Sequence, residues 1–172
     1  MTTLHGFGPV ADEQSRVLIL GSMPGAASLD KNQYYGHPRN AFWTIMGELV
    51  GAVPELEYQQ RLQTLLAHKV ALWDVLMSCQ RPGSLDADIQ SDSEQANDFS
   101  ALLGQGSSIK AVFFNGITAE RLFKKHVIAS IDDLGDRIEL MRLPSTSPAH
   151  AAMSYEKKLN TWKEILDYIH LS

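Results

Sequence analysis

Four short aliphatic runs, separated by segments of helical period, dictate the fold open to this chain. Arg16-Val-Leu-Ile-Leu20, Val70-Ala-Leu-Trp-Asp-Val75, Ile109-Lys-Ala-Val-Phe-Phe114 and residues 137–143 read as strands. Between them, Phe42, Ile45, Met46, Leu49 and Val50 recur at helical spacing, and Gly51 stands where a helix C-terminus favours it, so residues 40–51 are expected to be a helix. Tyr58, Leu62, Leu65 and Leu66 give another, Ile117–Lys125 a further one, and Tyr155, Leu159, Trp162, Ile165, Leu166 and Ile169 the last. Residues 76–92 show no sustained period and read as a loop, after which Ser93 and its acidic first turn begin a helix to about Leu103. Strands alternating with helices imply right-handed crossovers. The expected architecture is α/β: a single three-layer α/β/α domain over residues 1–172, with a central, mainly parallel four-stranded sheet.

In an open sheet of this kind, ligands bind beyond the carboxyl ends of the strands. The loops there begin near Gly21, Leu76, Asn115 and Pro144, and two of them are rich in chemistry. Residues 20–40 combine Gly, Pro and Ser with aromatic, basic and amide side chains, and Leu143-Pro-Ser-Thr-Ser-Pro-Ala-His150 combines Pro, hydroxyls and a basic group. Topology brings the two to one crevice. Gly21-Ser-Met-Pro-Gly25 matches neither the Walker loop nor the dinucleotide fingerprint, which lowers the weight of nucleotide enzymes.

With 172 residues, 44% of them hydrophobic, the chain suits one well-buried core. No stretch approaches the roughly 20 consecutive apolar residues that span a bilayer. No membrane partner is expected, and a start without basic or apolar leader regions makes the cytoplasm the expected location. The lone Cys79 excludes an internal disulfide and a four-cysteine metal site, and reads as a buried hydrophobe. A net charge of −5 argues against coating nucleic acid by bulk charge. A local basic rim remains open: Lys31, His37, Arg39, Arg81 and His150 fall in or near the loops, while acidic residues gather in expected helices such as 55–57 and 86–98.

These motifs carry a resemblance that spans nearly the whole chain. Gly21-Ser-Met-Pro-Gly25 resembles the first motif of the uracil-DNA glycosylase superfamily, Leu143-Pro-Ser-Thr-Ser-Pro-Ala-His150 its second, and Phe114-Asn-Gly116 its base-reading strand end. Tyr34-Tyr-Gly-His-Pro-Arg-Asn-Ala-Phe-Trp43 is most similar to the hypoxanthine-DNA glycosylase branch. The resemblance implies hydrolysis of the N-glycosidic bond of a deaminated base, hypoxanthine or uracil, turned out of damaged DNA, with no cofactor, no metal and a monomeric enzyme. Other readings stay open: a uracil- or mismatch-specific glycosylase, a damaged-DNA-binding module without catalysis, and a nucleoside hydrolase.

The resemblance also assigns roles. The first motif has Ser22 and Met23 where other branches carry a water-handling polar residue, so that role passes to Asn40, with His150 as the second catalytic group at the leaving base. Asn40 also reads as a helix N-cap. Asn115 is the expected base reader, because an amide offers both donor and acceptor. Tyr35 is the expected stacking residue, with Tyr34 its rival, and Ser22 and Met23 line the base. Gly25, Ser145, Thr146, Ser147, His37 and Arg39 are expected at DNA phosphates. The polar stretch 80–92, with Arg81 and Ser84, is the expected home of a wedge into the duplex. Phe42 and Trp43 read as core, Asp74 and Asp86 as structural because their spacing does not pair them, and Lys157-Lys158 as solvated surface.

Overall fold

The four expected strands form one sheet. The computed structural model describes residues 2–171; Met1 and Ser172, the ends of the expected 1–172 domain, lie outside the described residues. Strands β1 (Thr3–His5), β2 (Val17–Gly21), β3 (Val70–Asp74), β4 (Leu76–Gln80), β5 (Gln95–Ala96), β6 (Ala111–Asn115) and β7 (Glu139–Leu143) divide into two sheets. The larger has the order β3-β2-β6-β7, and every neighbouring pair in it is parallel. Parallel strands covered on both faces are what unbroken apolar runs signal.

Alternate residues of each strand enter different cores, as the two-residue strand period requires. Leu18, Leu20, Ala71, Trp73, Val112 and Phe114 face one layer, with Leu122 and Phe123 of α5 (Ile117–His126) and Leu103 of α4 (Ser100–Leu103). Leu134 of α6 (Leu134–Arg137) joins them. Val17, Ile19, Val70, Leu72, Ala111 and Phe113 face the other. That layer is built from Phe42, Ile45 and Met46 of α2 (Phe42–Val50), Leu65 of α3 (Tyr58–Ala67), and the C-terminal helices α7 (Tyr155–Trp162) and α8 (Leu166–Ile169). Phe42 and Trp43 are core residues, as expected, and so is the free Cys79, whose thiol burial pushes up.

Besides β1 and α6, which the sequence reading lacks, the structure departs from it in four places. Helix α1 (Ala26–Lys31) interrupts the long first loop. The expected loop 76–92 holds β4, which pairs antiparallel with β1 and β5 in a second sheet. The expected helix from Ser93 is instead a 3-10 turn, the strand β5 and the one-turn α4, because Gln95 and Ala96 find a pairing edge in β4. The last helix is broken by a 3-10 turn at Lys163–Ile165 between α7 and α8.

Candidate active site

A cavity of about 650 Å3 opens over the carboxyl ends of the large sheet. It lies within the range of small-ligand sites, roughly 300–1,000 Å3. Its wall takes residues from the loops after β2, β4 and β7 and from the strand ends Asp74 of β3 and Asn115 of β6, so the two chemically dense loops do converge.

Asn40 stands at the start of α2, where its Oδ1 accepts the Phe42 N–H at 2.9 Å. Asn40 thus satisfies the first N–H of α2 from one residue before the N-cap Ala41, and this capping position and the cavity position coincide, since Asn40 also lines the wall. Ala41 next to it donates its N–H to the Thr146 carbonyl at 3.0 Å, tying the first loop to the last. Thr146, 1% exposed, is spent inside the protein: its hydroxyl accepts from Asn115 Nδ2 and its N–H donates to Asn115 Oδ1, both at 2.9 Å. The hydroxyl oxygens of Ser145 and Ser147 accept the N–H groups of Ser147 and Ala149, each at 3.1 Å, and keep their own protons to donate. Gly116, at φ 99°, lets the strand end meet this loop, where an added Cβ would stand 3.1 Å from that of Ser145.

His150 lines the cavity with a buried Nδ1 that has no partner. Its carbonyl accepts from Lys158 Nζ at 2.7 Å. Lys158, 6% exposed, is therefore no solvated surface residue, and burial lowers its pKa. Only its (CH2)4 stem would have hinted at this. Trp162 Nε1 holds the same loop through the Pro144 carbonyl at 2.9 Å.

Tyr35 adopts φ 55°, a left-handed conformation unfavourable for its side chain, and its ring stacks on Phe42 at 3.9 Å between centroids. Its hydroxyl is buried and unpartnered, and the Asn115 amide faces it without closing a hydrogen bond. Tyr34 instead joins the core, donating its hydroxyl to the Gly8 carbonyl at 2.7 Å. Met23, 6% exposed, belongs to the apolar cluster and also lines the cavity. His37 Nδ1 accepts the Arg39 N–H at 3.0 Å, and both residues sit at the rim with Gly25.

Asp74 and Asp86, set aside on spacing, both line the cavity. Ser22 Oγ donates to Asp86 Oδ1 at 2.6 Å, and burial pushes the Asp86 carboxyl up against that hydrogen bond. Burial first, then the charge of Asp86, push Asp74 up to about 7, with Arg81 opposing. Folding of the loop after β4, rather than sequence distance, brings them together. Of the two residues expected to hold a wedge, Arg81 is turned inward and Ser84 is exposed at the cavity rim. Arg81 is 4% exposed and donates to the Gly83 and Pro24 carbonyls, both at 2.8 Å, while Ser84 Oγ accepts the Ala26 N–H at 2.9 Å. Leu85, more than half exposed, is the apolar residue at that rim. Among the described residues, no group of three or more His, Cys, Asp or Glu side chains is placed to hold a metal ion. Nor is any helix among them long and apolar enough to cross a membrane.

Fold and site define an α/β/α protein with a ligand cavity over the strand ends of a parallel sheet. The profile of the uracil DNA glycosylase superfamily matches residues 7–170, and the chain belongs to that superfamily. It is 35% identical over 165 residues to a hypoxanthine DNA glycosylase of Methanosarcina acetivorans, covering 94% of this chain and 96% of the relative. A hypoxanthine DNA glycosylase of Methanosarcina barkeri is 45% identical over 113 residues, 65% of this chain and 70% of that one. The solution NMR structure of a candidate uracil DNA glycosylase from Methanosarcina acetivorans superposes with a TM-score of 0.78 at 32% identity, covering 99% of this chain and 100% of that one.

Proposed function

We propose that this chain is a DNA glycosylase that hydrolyses the N-glycosidic bond of a deaminated base, hypoxanthine foremost, after the nucleotide has turned out of the duplex into the cavity. The two curated relatives described above, both named hypoxanthine DNA glycosylases, support the choice of base. The observation that carries the reading is the position of Asn40, fixed at the start of α2 and facing the cavity across from the His150 loop.

Loss of the base develops positive charge on the sugar and negative charge on the leaving ring. Asn40 Oδ1 has one lone pair engaged by Phe42 and a second for a water, and its amide N–H groups give that water a further partner. His150 Nδ1, unpartnered, is the group for the departing base, donating a hydrogen bond as the ring gains charge. Ser145 and Ser147, with protons left to donate, and the rim residues Gly25, His37 and Arg39 hold backbone phosphates, which position DNA without reading sequence. Thr146 serves as the internal lock between loops.

The test is a cleavage panel in chelator: labelled oligonucleotides carrying hypoxanthine, uracil or xanthine, followed by alkali, with free inosine alongside. Strand breaks at hypoxanthine and none of the free base from inosine are expected. Release from free inosine alone would replace the reading with a nucleoside hydrolase, and tight lesion binding without breaks would leave a binding module.

A further inference from the structure

Besides His150 Nδ1, two polar atoms on residues that line the cavity are buried without a partner in the folded chain: Asp74 Oδ2 and the Tyr35 hydroxyl. Buried polar groups are almost always hydrogen-bonded, so a pair of orphans on neighbouring residues of one cavity wall marks a place where something else completes them. Both are held rigidly. Asp74 ends β3 at 4% exposure, with its own carbonyl accepting from Asn97 Nδ2 at 2.8 Å and the next N–H, of Val75, donating to the Gly21 carbonyl at 2.9 Å. Tyr35 is aimed by a strained φ of 55° and by its stack on Phe42. The two approach each other over Gly21, where an added Cβ would run into Asp74 Oδ1 and stand 3.3 Å from the Tyr35 hydroxyl.

We propose that Asp74 and Tyr35 together read the edge of the flipped base, Asp74 Oδ2 accepting its ring N–H and the Tyr35 hydroxyl donating to the adjacent carbonyl oxygen. The assignment rests on the glycosylase reading and names the residues that tell lesion from normal base. Deamination turns an exocyclic amine beside a bare ring nitrogen into a carbonyl beside an N–H, in adenine to hypoxanthine and in cytosine to uracil alike. A fixed acceptor beside a hydroxyl that can donate matches the deaminated edge. Against adenine the Asp74 carboxylate meets the bare ring nitrogen, acceptor with acceptor, and that unmet buried charge rejects it, while the Tyr35 hydroxyl, donor and acceptor both, orients either edge. Guanine carries the deaminated type of edge as well, so this pair separates hypoxanthine from adenine, and its test uses those two bases.

The ionised carboxylate is the discriminating form, because a carboxylic acid carries both a donor and an acceptor and pairs with either edge. The charged and titratable groups facing Asp74 are Asp86 and Arg81 from the loop after β4, Tyr34 and Tyr35 from the loop after β2, and Tyr58 of α3; His37 and His150 share the cavity. Burial and Asp86 push the Asp74 carboxyl up to about 7, against Arg81, so discrimination fades as the pH falls through neutrality.

Binding, rather than turnover, tests this. Duplexes carrying hypoxanthine or adenine on a 2′-fluorinated sugar, which resists glycosidic cleavage, are titrated with the full chain, Asp74→Asn and Asp74→Leu at about pH 8.5 and about pH 5.5. The unsubstituted protein is expected to prefer hypoxanthine at least about tenfold at the higher pH and to lose most of that preference at the lower. Asp74→Asn, whose amide does not titrate, is expected to hold one preference at both pH values, and Asp74→Leu to lose preference while still binding an abasic duplex. Retained preference in Asp74→Leu, or the same pH response in Asp74→Asn as in the parent, would overturn the assignment; if Asp74→Leu fails to fold, the second comparison decides alone. Cleavage of an unmodified hypoxanthine duplex is followed in parallel. Absence of cleavage with the binding pattern intact refutes the glycosylase reading and supports the base-reading pair. Intact cleavage with no effect of Asp74 on preference refutes the pair alone.

Discussion

Asn115 and Thr146 clasp each other twice, Asn115 Nδ2 donating to Thr146 Oγ1 and the Thr146 N–H donating to Asn115 Oδ1, both at 2.9 Å. With the Thr146 carbonyl accepting from Ala41 at 3.0 Å, this clasp joins the ends of β6 and β7 to the residue that follows Asn40. Removing either half misplaces the His150 loop relative to Asn40. Asn115→Ala and Thr146→Val are each expected to slow excision at least about tenfold, since small misplacements of reacting groups are costly. Because they break one clasp, the double variant should be little worse than either single, with a coupling of about 1–3 kcal/mol in unfolding as well. Fully additive effects would contradict the clasp.

Asp74 makes the fold less stable as the pH rises. Its carboxyl sits at about 7 in the folded chain against an ordinary 3.8, so the native state holds a proton that the unfolded chain releases. The contribution is fully present below about pH 4 and is lost as the pH rises through about 7. Asp74→Asn removes the loss and should raise the melting temperature at pH 8 more than at pH 4, by up to the order of 4 kcal/mol in unfolding free energy. Thermal melts at the two values check it; equal shifts would refute the buried ionisation.

Glu94 works in the opposite sense. Burial would raise its carboxyl, but hydrogen bonds from Lys125 at 2.7 Å and His126 at 2.8 Å hold it below the usual carboxylate range. This stability is present above the ordinary carboxyl pKa and is lost as the pH falls through the depressed folded value. Glu94→Gln should therefore destabilise by about 1–3 kcal/mol near neutrality and by less in acid, read by urea melts at both pH values.

Lys158 holds the His150 carbonyl from beneath at 2.7 Å. Lys158→Met keeps the stem and removes the donor, which should leave the melting temperature within a few degrees of the parent while lowering kcat for excision by about tenfold. An unchanged rate would show that the loop is positioned by Trp162 and Thr146 alone.

Much of this was legible in the sequence because local signals and tertiary structure agreed there. The four strands announced themselves as apolar runs, and Asn40 as a capping group whose loop also walls the cavity. The region from Leu76 to Leu103 was not legible. Its strands owe their existence to pairing partners distant in sequence, Leu4 opposite Cys79 among them, and pairing overrides local pattern. Asp74 and Asp86 were missed for the same reason: their approach follows from a loop path anchored by Arg81 to Pro24 and by Ser22 to Asp86, which no spacing rule encodes. A carboxylate at the end of an otherwise apolar strand was the one available signal for Asp74.

The most direct test of the account is single-turnover excision from a hypoxanthine duplex by Asn40→Ala and Asn40→Ser. Serine caps a helix about as well as asparagine, so Asn40→Ser should melt near the parent, while Asn40→Ala loses about 1 kcal/mol. If Asn40 orients the attacking water, both variants lose at least about a hundredfold in rate, the stable one as much as the other. A rate for Asn40→Ser within about threefold of the parent would leave Asn40 as a cap and contradict its place in the chemistry.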